Sequence, residues 1–97
     1  MMNNKNFIKK ARIKIDEYDN QIISLISKRI KVCQEIGVYK KYHDISMMQP
    51  TRVNEVIERC IQLAKQHQLN PKFIENLFKA IITETCRIEN EIIKQPY

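Results

Sequence analysis

From Ile8 onward the apolar residues fall at Ile8, Ala11, Ile15, Tyr18, Ile22 and Leu25, skip position 29, and resume at Val32, Ile36 and Tyr39. The steps alternate between three and four, the spacing of a single stripe on an α-helix. The stripe predicts a helix of about 34 residues, roughly 50 Å long at the usual rise. A compact chain of 97 residues has a radius of gyration of only about 13 Å. Such a helix must project beyond its own domain, and its stripe then needs another chain to cover it. The single glycine, Gly37, lies inside this helix and weakens the case for its last turn.

The segment from Lys41 to Pro50 breaks the pattern, and Pro50 suits the first position of a new helix. There Val53, Val56, Ile57, Cys60, Ile61 and Ala64 share one face. A second break, His67 to Asn70, sets Asn70 as N-cap and Pro71 in the first turn of a third helix. Its stripe runs Ile74, Leu77, Phe78, Ile81, Ile82, Thr85, Ile88 and Ile92, ending near Lys94 to Pro96. The expected fold is all-α: a long, a short and a medium helix in one domain, residues 1–97, built into an intertwined homodimeric bundle.

Other classes fit poorly. Residues Met1 to Lys10 lack the apolar core of a signal peptide, and no stretch nears the ~20 apolar residues of a membrane span. Cys33, Cys60 and Cys86 are odd in number, without CxxC spacing, and fall among apolar residues. They read as reduced core thiols of a cytoplasmic protein. The net charge of +6 comes largely from scattered lysines, which point to solvated helix faces. No basic aromatic surface or helix-turn-helix pattern suggests nucleic-acid binding.

Four polar residues interrupt or extend the apolar stripes. Arg29 holds a stripe position between Leu25 and Val32, where a guanidinium is costly unless an anion meets it. Pairing with a carboxylate, or snorkelling to water, is the ordinary explanation. Lys40, eleven residues later, lies within about 20° of the same face and roughly 16 Å along the axis, so both could reach one small dianion. By itself Lys40 suits a helix C-terminus. Thr85 and Glu89 interrupt the third stripe, the first as a hydroxyl bonded to its own backbone, the second as an exposed break near the helix end. Arg12 is the outlier, about 42 Å from Lys40 on a straight helix. It can join the same ligand only from another protomer.

In order and spacing, Ala11-Arg12-Ile13-Lys14-Ile15-Asp16, Asp19, Lys28-Arg29, Gly37-Val38-Tyr39-Lys40, Arg52, and Asn70-Pro71-Lys72-Phe73-Ile74 through Leu77-Phe78 resemble the all-helical, AroQ-type chorismate mutases. The resemblance runs from Ala11 to about Ile93. It implies a homodimer whose long helices pair and whose sites each borrow one arginine, without cofactor or metal. Arg12 is similar to the donated arginine, Arg29 to the one that grips a substrate carboxylate, Lys40 to the lysine at the ether oxygen, and Arg52 to the arginine opening the second helix. Thr85 stands for the small hydroxyl residue, usually Ser, and Glu89 for a Gln. Val53 replaces a Glu that meets the ring hydroxyl, and Gln49 a loop Asp.

The chemistry implied is a pericyclic Claisen rearrangement, in which the protein selects a conformer and stabilises charge. A carboxylate cannot donate, so Glu89 would have to be protonated to act as Gln does, kept neutral near its working pH by burial. The strings Met47-Met48-Gln49-Pro50 and Glu84-Thr85-Cys86-Arg87, with Glu89, resemble 4-amino-4-deoxychorismate mutases. Arg52-Val53 is also similar to isochorismate-pyruvate lyases. A non-catalytic regulatory or interaction dimer remains the alternative of another class, and it implies that Arg29 and Lys40 are dispensable.

Overall fold

The computed structural model describes residues 4–46 and 49–96. Three helices follow one another: α1 (Asn4–Tyr42), α2 (Pro50–Gln66) and α3 (Pro71–Lys94). The order long, short, medium is as the stripes predict. Helix α1 is longer than expected, starting four residues before Ile8 and running through Gly37, which is buried, and on past Lys41. Glycine leaves no side chain at that position, so a buried approach suits it although it weakens the helix locally. Met47 and Met48, part of the string that resembles the amino-substrate mutases, lie outside the described residues.

Each helix end has a local cause. Lys40 and Lys41 occupy the last turn of α1, where cations suit the negative end of the dipole. The turn closes because Asp44 takes a left-handed φ of 53° and lets Ile45 N–H bond Lys40 C=O at 3.0 Å. His43 stacks on Tyr39 with ring centroids 3.9 Å apart. Helix α2 ends by the same device, with Gln68 at φ 58° and Leu69 N–H on Ala64 C=O at 2.8 Å. Asn70 caps α3 as expected, its Oδ1 accepting from Lys72 N–H at 2.9 Å and Phe73 N–H at 3.2 Å.

The chain divides into two compact units, Met1–Val32 and Cys33–Tyr97. In the second, α2 and α3 form a helical hairpin. Val56, Cys60 and Ala64, four apart, bury one stripe of α2, and their small volumes allow close approach of α3, on which Ile74, Phe78, Ile81 and Ile82 are half-buried. Cys33, Cys60 and Cys86 form no disulfide; Cys60 is buried and the other two are half-buried, so the expectation of three core thiols holds for one and is weaker for the others.

The first unit is a length of α1 alone, and its stripe is bare. Ile15, Tyr18, Ile22 and Leu25 are 56, 60, 55 and 63% exposed. A contiguous apolar face of this size on a helix marks an interaction surface. Among the described residues no helix is long and apolar enough to cross a membrane.

Candidate active site

The two polar breaks in the α3 stripe are both buried. Thr85 is 8% and Glu89 9% exposed. For Thr85 the ordinary explanation holds: its Oγ1 donates to Ile81 C=O one turn earlier at 2.9 Å. The hydroxyl oxygen keeps acceptor capacity for anything that docks beside it. For Glu89 the ordinary reading, an exposed break, fails, and the burial expected of a neutral donor at this position is observed. The α3 face that carries Ile81, Ile82 and Thr85 continues inward through Glu89, because the 3.6-residue period brings position 89 back under position 85.

Burial has an electrostatic consequence. Loss of water pushes the Glu89 carboxyl above its ordinary value of 4.5, and the nearby Lys40 ammonium pulls it only part of the way back. A carboxyl so placed holds its proton to higher pH than a surface glutamate and, while protonated, is a hydrogen-bond donor. Lys40 is itself half-buried. The thiol of Cys86, one turn before Glu89, is likewise raised above 9.0, first by burial, then by Glu89, with Lys40 opposing and Cys33 adding to the rise. It stays a thiol rather than a nucleophilic thiolate. Lys40, Glu89, Cys86 and Cys33 thus form one electrostatic neighbourhood at the junction of α1 and α3.

At the start of α2, Gln49 is the exposed N-cap residue, and its carbonyl accepts from Arg52 N–H at 3.0 Å and Val53 N–H at 3.2 Å. Val53 is half-buried. The Arg52 guanidinium is exposed and reaches Glu55 Oε2 at 3.4 Å along its own helix. With both side chains mostly in water that pair is weak, so a stronger anion could draw Arg52 away at little cost. Arg29 and Arg12 stand on the other unit. Arg29 is half-buried in the stripe, whereas Arg12 is exposed, in a shallow groove bordered by Lys5, Ile8, Lys9, Ile13 and Asp16.

Sequence reasoning therefore finds the Lys40–Glu89 neighbourhood but misses Cys86 and Cys33 as its companions. The i, i+3 spacing of Cys86 and Glu89 was the available signal. Among the described residues no three His, Cys, Asp or Glu side chains are grouped to hold a metal ion.

Residues 11–90 match the family described as chorismate mutase type II. The chain belongs to that family. The match reaches into all three helices and covers most of the chain. Among curated proteins it is similar to a 4-amino-4-deoxychorismate mutase of Streptomyces pristinaespiralis, 38% identical over 84% of this chain and 64% of the relative. A protein of the same name from Streptomyces venezuelae is 34% identical over 97% of this chain and 91% of the relative. More distant is the bifunctional chorismate mutase/prephenate dehydratase of Escherichia coli, 27% identical over 97% of this chain. This chain spans only 24% of that longer protein, and just under two thirds of the Streptomyces pristinaespiralis one.

Proposed function

We propose that the chain, acting as one domain over residues 1–97 and as a homodimer, rearranges a chorismate-class dicarboxylate, and that 4-amino-4-deoxychorismate is its preferred substrate. The observation that carries the reading is a half-buried lysine beside a buried glutamate whose carboxyl is pushed above its ordinary value by burial. The reaction is an isomerisation: the ether C–O bond breaks as a C–C bond forms, within one molecule and with no change of oxidation state. Negative charge grows on the departing ether oxygen. Lys40 and protonated Glu89 both donate to it, in a site that burial keeps low in dielectric.

Arg29 of the same chain and Arg52 bind the substrate carboxylates as forks, with Thr85 as a further polar contact. Arg12 comes from the partner, brought by pairing of the bare α1 stripes. The apolar residues left exposed at Ile15, Tyr18, Ile22 and Leu25 support that pairing. Val53 offers no polar atom to the ring substituent that a Glu would meet, and Gln49 stands beside it with a side-chain carbonyl acceptor. That combination, with the two Streptomyces relatives, supports an amino group over a hydroxyl at that position.

Purified protein incubated separately with chorismate, 4-amino-4-deoxychorismate and isochorismate, with products identified by NMR, tests the reading. Expected is 4-amino-4-deoxyprephenate, formed with kcat/KM at least about tenfold above that for chorismate. Preference for chorismate would overturn the substrate assignment, release of pyruvate from isochorismate would make the chain a lyase, and conversion of none would make it a non-catalytic dimer.

Glu89 supplies a pH prediction. Because burial raises its folded-state pKa, the stability linked to its proton is complete below the ordinary carboxylate value. That stability is lost as pH rises through the raised value. Above the raised pKa the wild-type rate should fall about tenfold per pH unit as the donor ionises. Glu89→Gln should abolish that fall and raise the melting temperature at alkaline pH. At pH below 4 the two proteins should melt alike. An alkaline fall-off unchanged in Glu89→Gln would remove Glu89 from the role of donor.

A further inference from the structure

Lys41 follows Lys40 on α1, lies off the apolar stripe, and has no part in the site so far. Its ammonium donates to Ile92 C=O at 2.9 Å and also to Gln95 C=O. Both carbonyls belong to the end of α3, where backbone oxygens lack helical partners and the dipole is negative. Ile92 C=O also accepts from Gln95 N–H at 3.3 Å, so the lysine joins the helix cap itself. Ile92 is three residues after Glu89, about 4.5 Å further along the axis. Neighbouring residues on a helix point about 100° apart. Two consecutive lysines of α1 thus address two features of α3 less than one turn apart, one a carboxyl and the other a helix end.

We infer that Lys41 is a positioning residue: by joining the terminal carbonyls of α3 it holds the end of α1 in register with that helix and keeps Lys40 against Glu89. The inference rests on the proposed roles of Lys40 and Glu89. Lys41 does not touch substrate. Its effect on the reaction passes through where the Lys40 ammonium stands. The titratable and charged groups around the pair are Lys40, Lys41 and Cys33 on α1 and Cys86 on α3, while α2 buries Val56, Cys60 and Ala64. Because Lys40 holds the Glu89 carboxyl down against the effect of burial, the titration of Glu89 reports the distance between the two independently of turnover.

The test follows the Glu89 side-chain carboxyl by 13C NMR across pH, with kinetics on 4-amino-4-deoxychorismate, in wild type, Lys41→Met, Lys41→Arg, Lys40→Met and the Lys40→Met/Lys41→Met double variant. In Lys41→Met the carboxyl should titrate higher than in wild type, and kcat should fall about tenfold with KM within about twofold. Lys41→Arg, which keeps a cationic donor, should restore both. The double variant should titrate as Lys40→Met does, since Lys41 acts through Lys40. A Lys41→Met protein with wild-type titration and kcat would overturn the inference, even if its melting temperature fell. So would a further rise in the double variant as large as that in Lys41→Met, which would show Lys41 acting on Glu89 by its own charge. Should Lys41→Met not fold, Lys41→Gln, which keeps a donor without charge, is judged on the same titration. If wild type converts no substrate, the proposed function fails while the titration still decides the placement.

Discussion

Lys40→Met should lower kcat by about two to three orders of magnitude while leaving the protein folded. The size follows from what the ammonium does. In the proposed role it meets charge that is absent from the bound substrate and develops only as the ether bond breaks, so its loss falls on kcat rather than on KM. Removing one preorganised donor to a developing oxyanion typically costs about 2.7–4 kcal/mol of transition-state stabilisation. Stability should change little at pH below the raised Glu89 value. Deleting one member of a buried ion pair normally strands the other charge, but Glu89 answers by keeping its proton more tightly, since Lys40 is what draws its carboxyl down. Arg29→Met should behave differently. In the proposed role Arg29 holds a carboxylate charged in both ground and transition states, so KM should rise markedly along with a fall in kcat. Stopped-flow or steady-state kinetics, with circular dichroism to confirm the fold, separates the two. A Lys40→Met enzyme with near-wild-type kcat would leave the ether oxygen without its proposed partner.

Much of this arrangement is written in local spacing, and the exceptions have physical reasons. The α1 stripe, the Asn70 cap and the Pro50 and Pro71 starts are all local signals, and each corresponds to an observed element or cap. The C-terminal extent of α1 was less legible because Gly37 reads as a helix-weakening residue, whereas its burial shows close packing that sequence spacing does not display. Glu89 was legible as a misplaced polar residue, exposed on the ordinary reading and buried on the one that makes it a donor, and spacing alone does not choose between them. Whether a stripe break near a helix end faces solvent depends on what packs over it, here the last turns of α1 with Lys40 and Lys41. Lys41 gave no signal, since its partners are backbone carbonyls, which are the same at every position. Arg52 was readable as a cation at a helix start, yet its side chain lies along α2 with Glu55. An exposed arginine takes whatever carboxylate is nearest until a better anion arrives. The role of Arg12 is what the family resemblance implies, and the spacing agrees with it: on a straight helix Arg12 falls about 42 Å from Lys40, too far for one small ligand.

That separation gives the second large effect. If the proposed assembly holds, Arg12→Ala and Lys40→Met should each lose most of their activity as homodimers, for one would lack the borrowed arginine and the other the donor at the ether oxygen. In a heterodimer of the two, one site takes Lys40 from the Arg12→Ala chain and Arg12 from the Lys40→Met chain, and is whole. The other site carries both defects. Two copies bearing different affinity tags, co-expressed and purified through both, isolate this species. Its turnover should be about half that of wild-type dimer, and orders of magnitude above either parent. Heterodimers no more active than the better parent would contradict a site assembled from two chains.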